Sequence, residues 1–199
     1  DLFDAKTKKQ MYTDIYDDAM WLINLVENLL AITKIEDNHV NMNMEPELLE
    51  DIFSEALSHL DRNACKHHIR TELTDDILMA DMDARLMVQV VINIVNNAIK
   101  YTPEGSHITL SAERSGQLVV VEIADDGPGV SAEARERLFD RFYTVGNERG
   151  DGRRGLGLGL SLCKSIITAH GGTIEAIKNE PQGTIFRFTL HASEVNAHE

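Results

Sequence analysis

"NIVNNAIKYTP", residues 93–103, sets three asparagines and a lysine into a helix that otherwise reads as buried. Asp83 is a fitting N-cap and Pro103 a stop, so the spacing predicts a helix from Asp83 to Tyr101. Within it Val91, Ile94, Val95 and Ala98 recur at i, i+3, i+4 and i+7, which marks a face turned to a sheet. Gln89, Asn93 and Asn97 lie four apart on a different stripe, so the polar and apolar sets do not compete. Asn97 and Lys100 are three apart and can reach one site, where an amide oxygen suits a hard cation and an ammonium suits phosphate. Asn96 lies off that stripe and reads as ordinary polar surface. Taken alone, the pattern also describes a helix with a satisfied polar edge.

Outward from this helix the periods alternate between strand and helix. Two strong strands follow, "HITLSAER" and "QLVVVEIAD", joined through Ser115 and Gly116 as a hairpin. Upstream, Val40, Met42 and Met44 alternate with polar residues and Pro46 closes the run, which predicts a short strand. A helix over 47–66 and strands near 68–73 and 77–81 come next. Downstream, a helix over 131–139 leads into "VGNERGDGRRG", which has no apolar period and reads as a mobile loop. A helix over 157–170 and the strands "TIEAIK" and "TIFRFTL" complete the chain. The hairpins and short connections favour an α+β fold, an α/β sandwich whose mixed, mostly antiparallel sheet is covered on one face by helices.

The N-terminal stretch 11–36 is different. Ile15, Ala19, Leu22, Val26 and Leu29 step by four, three, four and three, the seam of a coiled coil or bundle. Tyr16, Ile23 and Leu30 form a second row, so the helix needs more than one neighbour, from a partner chain or from a further helix of its own chain. The boundary to the following domain is expected near 37–40, and the segment begins abruptly enough to read as a fragment of something longer.

The balance of 43% apolar and 26% charged residues is that of a globular protein. A net charge of −14 argues against nucleic acid as a partner, because counterion release needs a basic face. Six arginines (135, 137, 141, 149, 153 and 154) nevertheless fall in one short span, balanced by acids. Cys65 and Cys163 form no C-x-x-C pair and point to a reducing compartment. Cys65, His67 and His68 lack a second ligand pair at zinc spacing, and no run is long and apolar enough for a membrane span.

Two glycine motifs remain. "DDGPG", 125–129, closes an uninterrupted β-run; its glycines allow a tight turn close to a flat ligand and leave the Asp125 carboxylate free to accept a hydrogen bond. It is also a plain turn sequence. "GLGLGL", 155–160, runs into a helix and could offer backbone N–H groups to phosphate, or serve as a hinge. It fits neither the Rossmann nor the P-loop pattern.

The order of these pieces is more specific than any one of them. "VINIVNNAIKYT", "DDGPG", "LFDRFY", "GLGLGL" and "GTIFRFTL" resemble, in sequence, the N, G1, F, G2 and G3 boxes of sensor histidine kinases. The resemblance spans nearly all of residues 40–190 and implies the ATP-binding fold shared with gyrase, Hsp90 and MutL. "LINLVENLLAITKIE" is similar to the second helix of the family's dimerisation and phosphotransfer hairpin, which implies a division into a truncated hairpin helix, 1–38, and a catalytic domain, 39–199. The phosphoacceptor motif of the first helix is absent. The phosphorylated histidine is therefore expected upstream of this segment, with a homodimer formed through the hairpin, a response-regulator receiver domain as partner, and any membrane anchor outside this otherwise cytoplasmic portion.

Carried over residue by residue, the resemblance makes Asn97 the Mg²⁺ ligand with Asn93 supporting it, and puts Lys100 on phosphate and Tyr101 near adenine. Asp125 would accept the adenine amino group's hydrogen bond, with Gly127 and Gly129 giving the base room. Phe139 and Phe142 would position the lid. Arg154, Gly155, Gly157, Gly159 and Leu160 would border the triphosphate, and Thr184 would approach adenine. ATP and Mg²⁺ are the implied cofactors, with Asn97, Lys100 and Arg154 carrying phosphoryl transfer. The ATP-hydrolysing relatives place a glutamate base one turn before the first box asparagine, where this chain has Gln89, an amide that cannot take a proton from water. This disfavours a hydrolase and the serine-kinase branch; a non-catalytic ATP sensor is the other alternative.

Overall fold

The computed structural model describes residues 4–36, 41–60, 62–75, 77–145 and 157–193. A long helix, α1 (Ala5–Glu36), is followed by β1 (Glu45–Leu48), α2 (Leu49–Ser58), a 3-10 turn (Arg62–Lys66), β2 (His68–Leu73) and β3 (Met79–Met82). Then come α3 (Ala84–Tyr101), β4 (His107–Ser115), β5 (Leu118–Asp125), α4 (Ala132–Arg137), α5 (Gly159–Ala169), β6 (Ile174–Lys178) and β7 (Thr184–His191). Five strands form one sheet in the order β2-β4-β5-β7-β6, parallel only between β2 and β4. This is the mixed, mostly antiparallel sheet expected, with α2, α3 and α5 packed together over it.

Strand parity explains the layering. Ile108, Leu110 and Ala112 on β4, Val119, Val121 and Ile123 on β5, and Phe186, Phe188 and Leu190 on β7 are all buried, at alternate positions. They meet the predicted face of α3, where Val91, Ile94 and Val95 are fully buried. The other side of the sheet mixes polar and apolar residues, and Arg187 there bonds Glu122 on the neighbouring strand at 2.6 Å and reaches Glu175 at 3.5 Å. Asp83 caps α3 as expected, its side chain accepting from the Leu86 N–H at 3.1 Å. His170, at the end of α5, accepts the Asp83 N–H at 3.0 Å through Nε2 and faces the Ile166 carbonyl at 2.8 Å through Nδ1, tying the two helices together.

Two expectations change, and α1 adds a packed row that the sequence did not mark. The first strand lies at Glu45–Leu48, beyond the 40–44 alternation, and contains Pro46; Val40 lies outside the described residues. Leu49 N–H bonds the Leu78 carbonyl, and the register Glu45↔Met82, Glu47↔Ala80 puts the bonded positions at 45, 47 and 49, so Pro46 falls where no N–H is needed. The helix expected over 47–66 stops at Ser58 and resumes only as a 3-10 turn. On α1, both rows marked in the sequence are exposed (Ile15 at 62%, Leu22 at 52%, Ile23 at 48%), whereas a third row, Leu25, Ile32 and Ile35, packs against the core beside α5.

Truncating a fully buried side chain of α3, Ile94→Ala, is expected to lower stability by about 2–5 kcal/mol in urea denaturation. Exposed Asn96→Ala on the same helix should change it by less than about 0.5 kcal/mol.

Candidate functional site

Asp125 shares the parity of Val119, Val121 and Ile123, so its carboxylate points into the core side of the sheet and is buried. Oδ1 accepts the N–H of Gly127 at 2.9 Å and of Thr184 at 3.3 Å. Burial raises its pKa above the ordinary carboxylate value, and these two N–H groups offset only part of that. The backbone behind it is clamped from the β6–β7 connection: Asn179 Nδ2 donates to the Asp125 carbonyl at 2.7 Å and Gln182 Nε2 to that of Asp126 at 3.0 Å. The fit leaves no room for a side chain at Gly183 (φ 114°), where a Cβ would collide with the Asp125 carbonyl.

From Asp125 a cavity of roughly 460 Å³, within the range of small-molecule sites, runs to the polar stripe of α3. Pro128, Gly129, Val130, Leu138, Thr184 and Phe186 line it at the Asp125 end, and Asn93, Asn96, Asn97 and Lys100 come from α3. Among the described lining residues Asp125 is the only carboxylate. The Nδ2 of Asn93 is buried without a hydrogen-bond partner. Beside it, burial pushes the Cys163 thiol up to about 12, so the neutral sulfur is a poor acceptor for that amide. Among the described residues no group of histidines, cysteines and carboxylates could hold a metal ion, so any cation here would rely on amide oxygen and the ligand's own atoms.

The remaining wall comes from the two sides of the glycine-rich segment. Tyr143, Thr144 and Val145 line the cavity from one side and Gly157, Leu158, Gly159 and Leu160 from the other. Phe142 N–H bonds the Gly157 carbonyl at 3.1 Å and pins the two sides together. At Gly157 (φ 64°) a Cβ would run into the Phe142–Tyr143 backbone.

Residues 82–194 match the family described as histidine kinase-, DNA gyrase B- and HSP90-like ATPases. The chain belongs to this family. It is 41% identical over 190 residues to the sensor protein KdpD of Clostridium acetobutylicum, which covers 96% of this chain and 21% of that one. It is 34% identical to the sensor histidine kinase WalK of Bacillus subtilis, over 87% of this chain and 29% of that one. Among solved structures, the Acinetobacter baumannii histidine kinase AdeS superposes with a TM-score of 0.76 at 25% identity, over 92% of this chain and 84% of that one. The chain spans from about a seventh to about a half of the length of the curated relatives it matches.

Of the residues named for the histidine kinase-like site, Asn93, Asn97, Lys100, Tyr101, Asp125, Gly129, Gly157, Gly159, Leu160 and Thr184 line one cavity. Gly127 lies behind Asp125, where a Cβ would press on the Thr102 methyl at 2.5 Å. Phe142 is exposed at positive φ (62°) and off the cavity wall, while Phe139 packs edge-on against Phe186. Arg154 and Gly155 lie outside the described residues, as do Arg149 and Arg153. Two readings of α3 need correction. Asn96 does line the cavity, because α3 presents more than one stripe to it. Gln89 is exposed and does not line it; Asn93 is the residue one turn before Asn97 that faces the cavity, so the place given to a general base again holds an amide.

The reading from sequence did not find Asn28, Asn179, Gln182 or Phe186. Phe186 was available, since it shares the inward parity of Thr184 on β7. Asn179 and Gln182 carry no local signal, because their partners are more than fifty residues away.

The raised pKa of Asp125 gives a stability prediction with a definite sign. Its buried charge opposes folding above the raised native value, and the opposition fades as pH falls from there through the ordinary value of 3.8. Asp125→Asn keeps the acceptor oxygen without the charge, so the ligand-free variant should have the higher urea midpoint at pH 7, and the gap to wild type should narrow as pH falls into that window.

Proposed function

We propose that this chain is the ATP-binding catalytic part of a two-component sensor histidine kinase. Its reaction would be transfer of the γ-phosphate of ATP to a histidine on another helix, for relay to an aspartate of a response regulator. The observation that carries the reading is one cavity lined both by a buried carboxylate, suited to an exocyclic amino group, and by a cluster of amides and a lysine, suited to polyphosphate. Asp125 would accept from the adenine amino group, beside Thr184 and the open backbone of Gly129. Lys100 would face phosphate, and Tyr101 would border the base.

The side-chain amides of Asn93 and Asn97, both in the cavity lining, suit a Mg²⁺-bound triphosphate, with Asn97 as the direct ligand and Asn93 supporting phosphate or a metal-bound water. When bound, the ion would neutralise phosphate charge. Little covalent chemistry is then asked of the protein, whose part is to hold the nucleotide in line and shield its charge. Arg154, in the glycine-rich segment, would add to that shielding. A hydrolase is less well supported, because α3 offers Asn93, Asn96, Asn97, Ala98, Lys100 and Tyr101 to the cavity, with no carboxylate or imidazole among them to act as a general base for water.

Partners follow the same reasoning. A solved complex of the histidine kinase ThkA with the response regulator protein TrrA superposes at 25% identity and a TM-score of 0.75, over 96% of this chain and 53% of the ThkA chain. The exposed rows of α1 would form a homodimeric bundle with the phosphoacceptor helices. No described helix is long and apolar enough to cross a membrane, and any anchor would lie outside this segment.

Titration with an ATP analogue should show Mg²⁺-dependent binding that Asp125→Asn weakens at least about tenfold, the scale of losing a charge-assisted hydrogen bond. With γ-labelled ATP the chain should not label itself, but should label an added helical hairpin that carries the histidine motif. Self-labelling, or binding indifferent to Asp125→Asn, would contradict the proposal.

A further inference from the structure

One lining residue of the cavity belongs to α1. Leu25, Asn28, Ile32 and Ile35 succeed one another at steps of three, four and three, and so share one face of the helix. Ile32 and Ile35 are buried in the core cluster and Leu25 packs against it, so this face docks α1 on the rest of the fold. Asn28 is the polar member of the row, half-buried, with apolar anchors about one turn away on either side. It lines the cavity, and among the described residues no hydrogen bond engages its amide.

The packing indicates which end of the cavity it serves. α1 packs against α5, whose first residues, Gly159 and Leu160, line the cavity next to α3. A Cβ at Gly159 would stand 3.8 Å from the Asn93 side chain. Asn28 is therefore brought to the cavity by the helix that docks on α5, whose first residues adjoin Asn93. An amide there can donate to a phosphate oxygen or accept from a metal-bound water, whereas a purely apolar docking row has no use for it.

We propose that Asn28 binds the phosphate end of the nucleotide, and that through it nucleotide occupancy and docking of α1 are coupled. The inference rests on reading the cavity as an ATP site. Coupling of this kind is reciprocal: a nucleotide that bonds Asn28 tightens the helix on α5, and a helix pulled away weakens the nucleotide.

The test uses the whole chain and two ligands with Mg²⁺: AMP-PNP, and AMP, which keeps base and sugar but lacks the outer phosphates. Asn28→Ala, and Asn28→Leu, which retains apolar contact on the docking face, should each weaken AMP-PNP about three- to ten-fold, the loss expected for one hydrogen bond. AMP should change by less than about twofold, and exposed Lys34→Ala should alter neither. In wild type, AMP-PNP should slow amide exchange over residues 25–35 more than AMP does, and the Asn28 variants should lose that difference. Unchanged AMP-PNP affinity, or equal losses for both ligands, would overturn the inference while leaving the ATP site standing. A wild type that binds neither ligand, or binds AMP-PNP regardless of Asp125→Asn, would remove the ATP reading and this inference with it.

Discussion

A carboxylate buried at the end of a central strand is the constraint around which this domain is arranged. Asp125 points inward because it is in register with Val119, Val121 and Ile123, and an inward charge at that place is unfavourable unless the structure supplies donors. It does so with backbone N–H groups at Gly127 and Thr184, which requires that β7 begin directly opposite the end of β5. The requirement spreads from there. Gly183 and Gly129 must lack side chains for the two connections to approach, and Asn179 and Gln182 hold the backbone of the pair from outside. Only part of the burial is compensated, and the remaining hydrogen-bonding capacity faces a cavity. An electrostatic strain that a ligand's amino group can relieve is a common device of binding sites.

α3 is the second fixed part. One of its faces is locked in the core by Val91, Ile94 and Val95, so the asparagines of its other faces are presented from a rigid element and not from a loop. The same element holds the unpaired amide of Asn93 and, through the Asp83–His170 bond, fixes the end of α5. α5 in turn carries both the glycine-lined edge of the cavity and the surface on which α1 docks. The helix that would transmit a signal and the pocket that would hold nucleotide thus share one supporting element. A displacement of α1 cannot be isolated from the cavity, because Asn28 and Ile32 lie on the same row.

Much of this was legible in the sequence wherever a short-range rule governs. The cap at Asp83, the hairpin at Ser115–Gly116 and the buried face of α3 follow from local periodicity and turn chemistry, and the structure has all three. Local rules misjudged the first strand, where Pro46 looked like a terminator until its partner strand fixed which N–H groups are needed. They misplaced the decisive amide as well. Gln89 and Asn93 are both one turn from an asparagine of the stripe, and only the curvature of the site around α3 selects Asn93 and adds Asn96.

By itself the sequence determined the alternation of strands and helices, the inward parity of Asp125 and the ordered boxes that identify the family, because each depends on residues a few positions apart. Tertiary structure alone decided what meets across the fold. Asn179 reaches Asp125, His170 reaches Asp83, and the docking face of α1 is a row that neither exposed seam foretold. These contacts join residues from about fifty to nearly ninety positions apart in the hydrogen-bonded pairs. Periodicity can say that a side chain faces inward or outward, but which distant group it finds there is set by how the layers pack.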